Sequence, residues 1–150
     1  MSYEGLLYNI NEGLYTDIGA ESTGYTVQIV ISDAFFISTD DGYEADQNRI
    51  GHVLGLDLSS SDPEALIIGE YTISSNPTAG QSTFTADWPV DKTGNRQVED
   101  SWGVDISAAS GTLILSGSGT DISITFELQF GQNTLKVSFN KSLTYFDQRD

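Results

Sequence analysis

At 150 residues the chain has the length of one ordinary domain, enough to bury about two-thirds of the surface its unfolded form exposes. It carries 22 Asp and Glu against 6 Lys and Arg, a formal charge of -16, and no cysteine, so its field repels phosphate backbones and anionic lipid, and disulfide, thiolate and Cys-ligated metal chemistry are excluded. Nucleic acid and membrane insertion are therefore set aside as partners, and no stretch approaches the roughly 18 apolar residues of a helical span.

The chain reads as one β domain over residues 1–150. Its seven Tyr, seven Phe and 15 Gly, with abundant Ser and Thr, suit short strands and tight turns better than helices. Residues 1–10 hold no basic segment followed by an apolar one. The expectation is either a protein made in mature form or one whose export segment was replaced by Met1. Residues 6–10 are a weak strand candidate. Val27, Ile29 and Ile31 alternate with Thr26, Gln28 and Val30, which predicts a strand with one buried face. Residues 40–51 read as a loop. Leu54, Leu56 and Leu58, alternating with Gly55 and Asp57, predict another strand.

Ser61-Asp62-Pro63-Glu64 is a helix-start pattern, with Pro63 at a first helical position, but the apolar run after it is short and supports at most one turn. Residues 66–74 predict a strand with Gly69 inside it as a bulge or close-contact point. Residues 75–80 and 87–97 read as loops, and residues 81–86 and 98–106 as weaker strands. Leu113 and Leu115 lie on a strand that a Ser/Gly turn over residues 116–120 joins to the clearest alternation in the chain. There Ile122, Ile124, Phe126, Leu128 and Phe130 interleave with Asp121, Ser123, Thr125, Glu127 and Gln129. A turn at Gly131, Gln132 and Asn133 leads to Leu135, Val137 and Phe139, and after a break at residues 140–142 the meander extends over residues 143–146. The fold class expected is all-β, an antiparallel sandwich or flattened barrel of eight to ten strands with little or no helix.

His52 is the single histidine, so a Ser-His-acid triad would have to use it; its context, Ile50-Gly51-His52-Val53-Leu54, is a strand opening rather than a nucleophile elbow. Zinc or copper on paired histidines is excluded by the same count. Asp57, Glu70 and Glu127 are candidates for a carboxylate pair of the glycosidase type, but each falls at the outward phase of its strand, where solvation is the simpler role. No catalytic residue is assigned. No organic cofactor is expected.

Two binding sites are expected instead. The loop Asp40-Asp41-Gly42-Tyr43-Glu44-Ala45-Asp46-Gln47-Asn48 gathers oxygen donors of the kind calcium needs, with Asp40, Asp41, Glu44 and Asp46 as candidate ligands, against the alternative of a mobile, solvated loop; the EF-hand offsets are not met. Trp88, Trp102 and Tyr43 are the aromatic residues expected to stack on a sugar ring, against the alternative that the tryptophans plug the core. Ser116-Gly117-Ser118-Gly119 lacks the Lys and helix start of a phosphate loop and reads as a hairpin turn.

Gly69-Glu70-Tyr71-Thr72-Ile73, then Ser110-Gly111-Thr112-Leu113, Ile122-Ser123-Ile124-Thr125-Phe126, Leu135-Lys136-Val137-Ser138-Phe139 and Leu143-Thr144-Tyr145 carry a resemblance. Over residues 66–147 the chain resembles small β-domains of Bacteroidetes surface and secreted lipoproteins, in which a G-x-Y-T strand precedes an S-G-T strand and a closing hairpin. The resemblance implies an exported β-sandwich or flattened barrel without enzyme activity; the lipobox cysteine of such lipoproteins is absent here. The same grammar occurs in virion and fibre proteins of phages infecting such bacteria. The function expected is a non-enzymatic binding or adhesion module, extracytoplasmic or at a cell surface, with a glycan or protein partner. The alternatives are a structural subunit of an assembly such as a virion and a lipocalin-like carrier with an interior pocket.

Overall fold

The computed structural model describes residues 2–3, 6–7, 12–32, 36–39, 42–45, 51–74, 76–87, 91–93, 96–97, 110–130, 132–147 and 149. The described residues form an all-β body without helix. The strands are β1 (Ser2–Tyr3), β2 (Leu6–Leu7), β3 (Glu12–Glu21), β4 (Gly24–Ser32), β5 (Phe36–Thr39), β6 (Gly42–Ala45), β7 (Gly51–Ser60), β8 (Gly69–Ile73), β9 (Thr83–Asp87), β10 (Asp91–Thr93), β11 (Arg96–Gln97), β12 (Ser110–Ser118), β13 (Asp121–Phe130), β14 (Asn133–Ser142) and β15 (Thr144–Asp147).

One sheet runs in the order β15-β3-β4-β7-β9-β8-β12-β13-β14-β1-β2. It almost closes on itself, because only Leu143 separates β14, near one end of that order, from β15 at the other. The chain leaves β14 at Ser142, turns at the buried Leu143, and pairs β15 with β3 in parallel. Leu143 donates its N–H to the Thr120 carbonyl at 2.8 Å, tying that corner to the β12–β13 hairpin end. Among the described pairings the two ends of that order, β15 and β2, are not joined, so the sheet curls without full closure. Among the described pairings only β8–β9 and β15–β3 are parallel.

Period-two patterning places the interior. Ile29 of β4 lies opposite Leu56 of β7, and Leu58 opposite Phe84 of β9. On the other wall Tyr71, Leu113, Phe126 and Val137 are successive register partners across β8, β12, β13 and β14. All of them are buried in one hydrophobic cluster. Phe84 and Phe126 meet across the interior, ring centroids 6.0 Å apart and tilted at 53°, away from the face-to-face sandwich that aromatic quadrupoles disfavour. Each fully buried Leu, Ile or Phe contributes about 1.5–3 kcal/mol relative to exposure, and along the described strands such side chains fill the barrel.

The meander over residues 110–142 forms as read, with longer strands and tighter turns. Ser118 pairs with Asp121 and Phe130 with Asn133, so each hairpin loop holds two residues. Gly119, with φ 58, supplies the left-handed conformation that such a loop needs. The break expected at residues 140–142 falls one residue later, at Leu143, whose side chain belongs inside. Several other expectations are corrected. The strand expected over residues 66–74 is confined to β8, and Gly69 opens it, at φ 137, instead of bulging within it. Residues 61–64 form no helical turn. The Asp62 carboxylate accepts the Glu64 N–H at 2.8 Å and closes a local turn that competes with the helix.

Strand β3 was not expected. Its buried inward positions before the register shift are Gly13, Tyr15 and Asp17, none of them aliphatic, and the shift between Asp17 and Gly19 then turns Gly19 to the outer face opposite Thr26. Strands also occupy parts of the expected loops 40–51 and 87–97, since β6 pairs with β5, and β10 with β7 and β11. Of residues 6–10 the structure describes the β2 pair, Leu6–Leu7, and the strand candidate 98–106 lies outside the described residues.

Candidate functional site

The β3–β4 hairpin carries a buried carboxylate. Asp17 is 7% exposed, and a carboxylate so placed needs donors. Tyr25 of β4 gives its hydroxyl to Asp17 Oδ1 at 2.6 Å, and Tyr145 of β15 gives its own to Oδ2 at 3.3 Å. Parallel pairing sets Asp147 directly opposite Asp17 and Tyr145 opposite Tyr15. Two carboxylates in that relation repel each other. Arg149 lies between them, with Nε 2.9 Å and one terminal nitrogen 2.5 Å from the two oxygens of Asp147, and Nε 3.8 Å from Asp17 Oδ2. The Tyr15 and Tyr145 rings stack at 5.8 Å between centroids.

Facing Tyr25 is the segment 61–68, which crosses this end of the barrel. Ser60 organises it: its hydroxyl oxygen accepts the N–H groups of Asp62 at 3.2 Å and Ile67 at 3.3 Å. Tyr25 N–H donates to the Asp62 carbonyl, and the Tyr71 hydroxyl to the Ile67 carbonyl at 2.8 Å. The segment is thereby tied to the barrel, with Leu66 and Ile67 packed against the core, and two spaces open beside it. One, of about 390 Å³, is lined by Tyr15, Tyr25, Glu64, Leu66, Ile68 and Ile122. The other, of about 440 Å³, is lined by Ile18, Glu21, Tyr25, Glu64 and Arg149 among others. Tyr25 and Glu64 belong to both and form the ridge between them. Ile68, 52% exposed, stands on the rim.

The hydroxyl of Tyr25 is held above its ordinary ionisation range first by its hydrogen bond to Asp17 and then by burial. Burial, with the Asp17 charge adding to it, pushes Tyr15 up as well, and burial does the same for Tyr71. These phenols are therefore neutral donors at physiological pH rather than phenolate bases. Asp147 is brought down to about 2 by its hydrogen bonds from Arg149. A phenol whose folded pKa lies above the unfolded value of 10 contributes stability that is complete below pH 10 and lost as pH rises through the folded value. The melting temperature is therefore expected to fall progressively above pH 10, and to fall less in Tyr25→Phe; equal slopes in the two proteins would contradict the assignment. The Asp147 shift acts at the other end, with stability present above about 4 and lost as pH drops through about 2. That pair is exposed, and its share is small.

The residues expected from the sequence are others. Asp40, Asp41, Asp46, Trp88 and Trp102 fall outside the described residues. Tyr43 and Glu44 are placed by backbone alone, on β6 opposite Ser38 and Ile37. His52 sits on β7 opposite Asp91. The outward phase read for Asp57, Glu70 and Glu127 is what forms: all three are exposed. Asp57 Oδ1 accepts Gln28 Nε2 at 3.0 Å, and Glu127 pairs with Lys136 at 3.1 Å. Tyr25, Asp17 and Glu64 were not singled out. The available signal was an Asp at the inward phase, two residues after Tyr15, in a run otherwise composed like a strand. Compared with models of protein families, with curated proteins and with solved structures, the chain has no match in any of the three.

Proposed function

We propose that the chain is a non-enzymatic binding module that takes a carbohydrate across the Tyr25 ridge, working outside the cytoplasm or at a cell surface, as the resemblance to Bacteroidetes lipoprotein domains implies. The observation that carries this reading is the fixing of Tyr25 by Asp17 at 2.6 Å between two open grooves. A sugar ring presents C–H bonds to an aromatic face and hydroxyls to acceptors beside it. Tyr25 offers the first and Glu64 the second. An aromatic platform whose hydroxyl is already bonded loses little freedom on binding, which is where preorganised sites gain affinity. The shifted phenols fit binding better than catalysis, since they stay protonated.

A glycan array followed by titration calorimetry tests this. Tyr25→Ala is expected to weaken the best glycan at least about tenfold, the equivalent of about 1.4 kcal/mol. Tyr25→Phe, which keeps the ring and frees it from Asp17, is expected to fall between. A folded sample that binds nothing on the array would end the reading and favour a structural subunit, which light scattering would register as an oligomer.

A further inference from the structure

Beyond Glu21, on the outer face of the sheet, lies a smaller pocket. Its volume is about 80 Å³, and its lining includes Glu21, Asp57, Ser59, Pro77 and Thr83. Register explains the lining: Thr26, Ser59 and Thr83 are successive cross-strand partners on β4, β7 and β9, and Gln28, Asp57 and Thr85 form the next row. Hydroxyls on the outer face of a sheet normally meet water. Here Ser59 and Thr83 are buried, Thr83 at 4% exposure. Ser59 gives its hydroxyl to the Thr23 carbonyl at 3.4 Å. Thr83 Oγ1 has no hydrogen-bond partner among the described residues. Buried hydroxyls are ordinarily paired, so an orphan lining a pocket marks a place where a partner binds.

We infer that this pocket is a subsite for a primary ammonium group, so that the ligand of the Tyr25 groove is an amino sugar; the sugar part of this inference rests on the carbohydrate reading above. An ammonium has three donors and no acceptor. The pocket offers three acceptors of two kinds, the orphan hydroxyl of Thr83 and the carboxylates of Glu21 and Asp57, which each also accept one bond from the sheet, from Thr26 and Gln28. At about 80 Å³, well above the roughly 10–15 Å³ that admits one water, it has room for a small polar head. Glu21 also lines the 440 Å³ groove, so the two spaces share a wall. An anionic sugar has no place here. Arg149, which lines the groove, already has its guanidinium on Asp147 and near Asp17, and the chain carries a charge of -16.

Two measurements test the inference. Titrating methylammonium into the labelled protein is expected to shift the backbone resonances of Thr83, Ser59 and Asp57, and Thr83→Val or Asp57→Asn is expected to abolish the shifts; unmoved resonances in the wild-type chain would overturn the subsite. By calorimetry a glucosamine tetramer is expected to bind at least about tenfold more tightly than its N-acetylated counterpart, as charge-assisted hydrogen bonds allow. Asp57→Asn should reduce that ratio to near one. Equal affinities in the wild-type chain, or tighter binding of a uronate tetramer, would overturn the assignment. Methylammonium shifts with no binding of either tetramer would leave the subsite standing and remove the carbohydrate reading.

Discussion

Gly24→Ala is expected to destabilise the protein by about 3–4 kcal/mol, at the upper end of single substitutions. Gly24 opens β4 at φ 143, a conformation that side chains rarely adopt, and a Cβ there would overlap the Ser60 carbonyl and come within 3.2 Å of Ser59 Oγ. Backbone strain alone accounts for about 1–3 kcal/mol. The rest arises because the obstructing atom is backbone, in a strand paired with β4 through Tyr25 and Ser60, and cannot swing aside. Gly80→Ala separates the two effects. Gly80 also has positive φ, 81, but nothing lies within 4 Å of its added Cβ, so it should cost only about 1–2 kcal/mol. Urea denaturation of the two variants with unchanged slope is the measurement; equal midpoints would show that the Ser60 contact carries nothing. Displacing Ser60 also pulls away the hydroxyl that holds the N–H groups of Asp62 and Ile67. Gly24→Ala should therefore weaken glycan binding more than Gly80→Ala does.

That coupling shows which parts of the molecule can be read in one dimension. Strands β4, β7 and β12 to β14 were legible because their inward positions are Val, Ile, Leu and Phe, a pattern that period two reveals directly. β3 was hidden for the opposite reason. Gly13 leaves room for the side-chain ends of Phe139, Ile31 and Leu143 that a Cβ there would meet, and Asp17 faces inward with donors from Tyr25 across the hairpin and from Tyr145 far along the chain. Tyr145 is 128 residues from Asp17, and no local pattern announces a parallel pairing across that distance. The segment 61–68 misled through competition: its Ser, Asp and Pro signals suit a helix start, and the same polar groups instead closed turns around Ser60. The binding ridge is made of these illegible parts. Tyr25 looked like one aromatic residue on a strand until the bulge in β3 and the return of β15 brought its partners to it.

The clamp at Asp17 supplies the second large effect. Truncating it as Asp17→Ala removes the acceptor for two phenols and the second carboxylate near Arg149. Leaving partly buried donors unpaired costs about 1–3 kcal/mol for each group that water cannot reach, and the half-exposed Arg149 adds little because water can take the place of Asp17 beside it. Relief of the repulsion between Asp17 and Asp147 offsets part of this, so a net loss of about 2–3 kcal/mol is expected. Asp17→Asn keeps an oxygen for the Tyr25 hydroxyl and should lose less. The location of the damage is the sharper test. β15 is four residues long and among the described residues pairs with β3 alone, so once Asp17 no longer holds Tyr145 and Arg149, the amides of residues 144–147 should exchange much faster while those of β13 keep their protection. Hydrogen exchange that rises uniformly would mean that Asp17 supports the whole barrel. Exchange unchanged at β15 would mean that parallel pairing and the Tyr15–Tyr145 stack close the barrel without the carboxylate. The expected intermediate outcome, an intact barrel with a loosened last strand, would free Tyr25 as well, and the affinity lost in Asp17→Asn at constant fold would then measure what fixing that one ring contributes to binding.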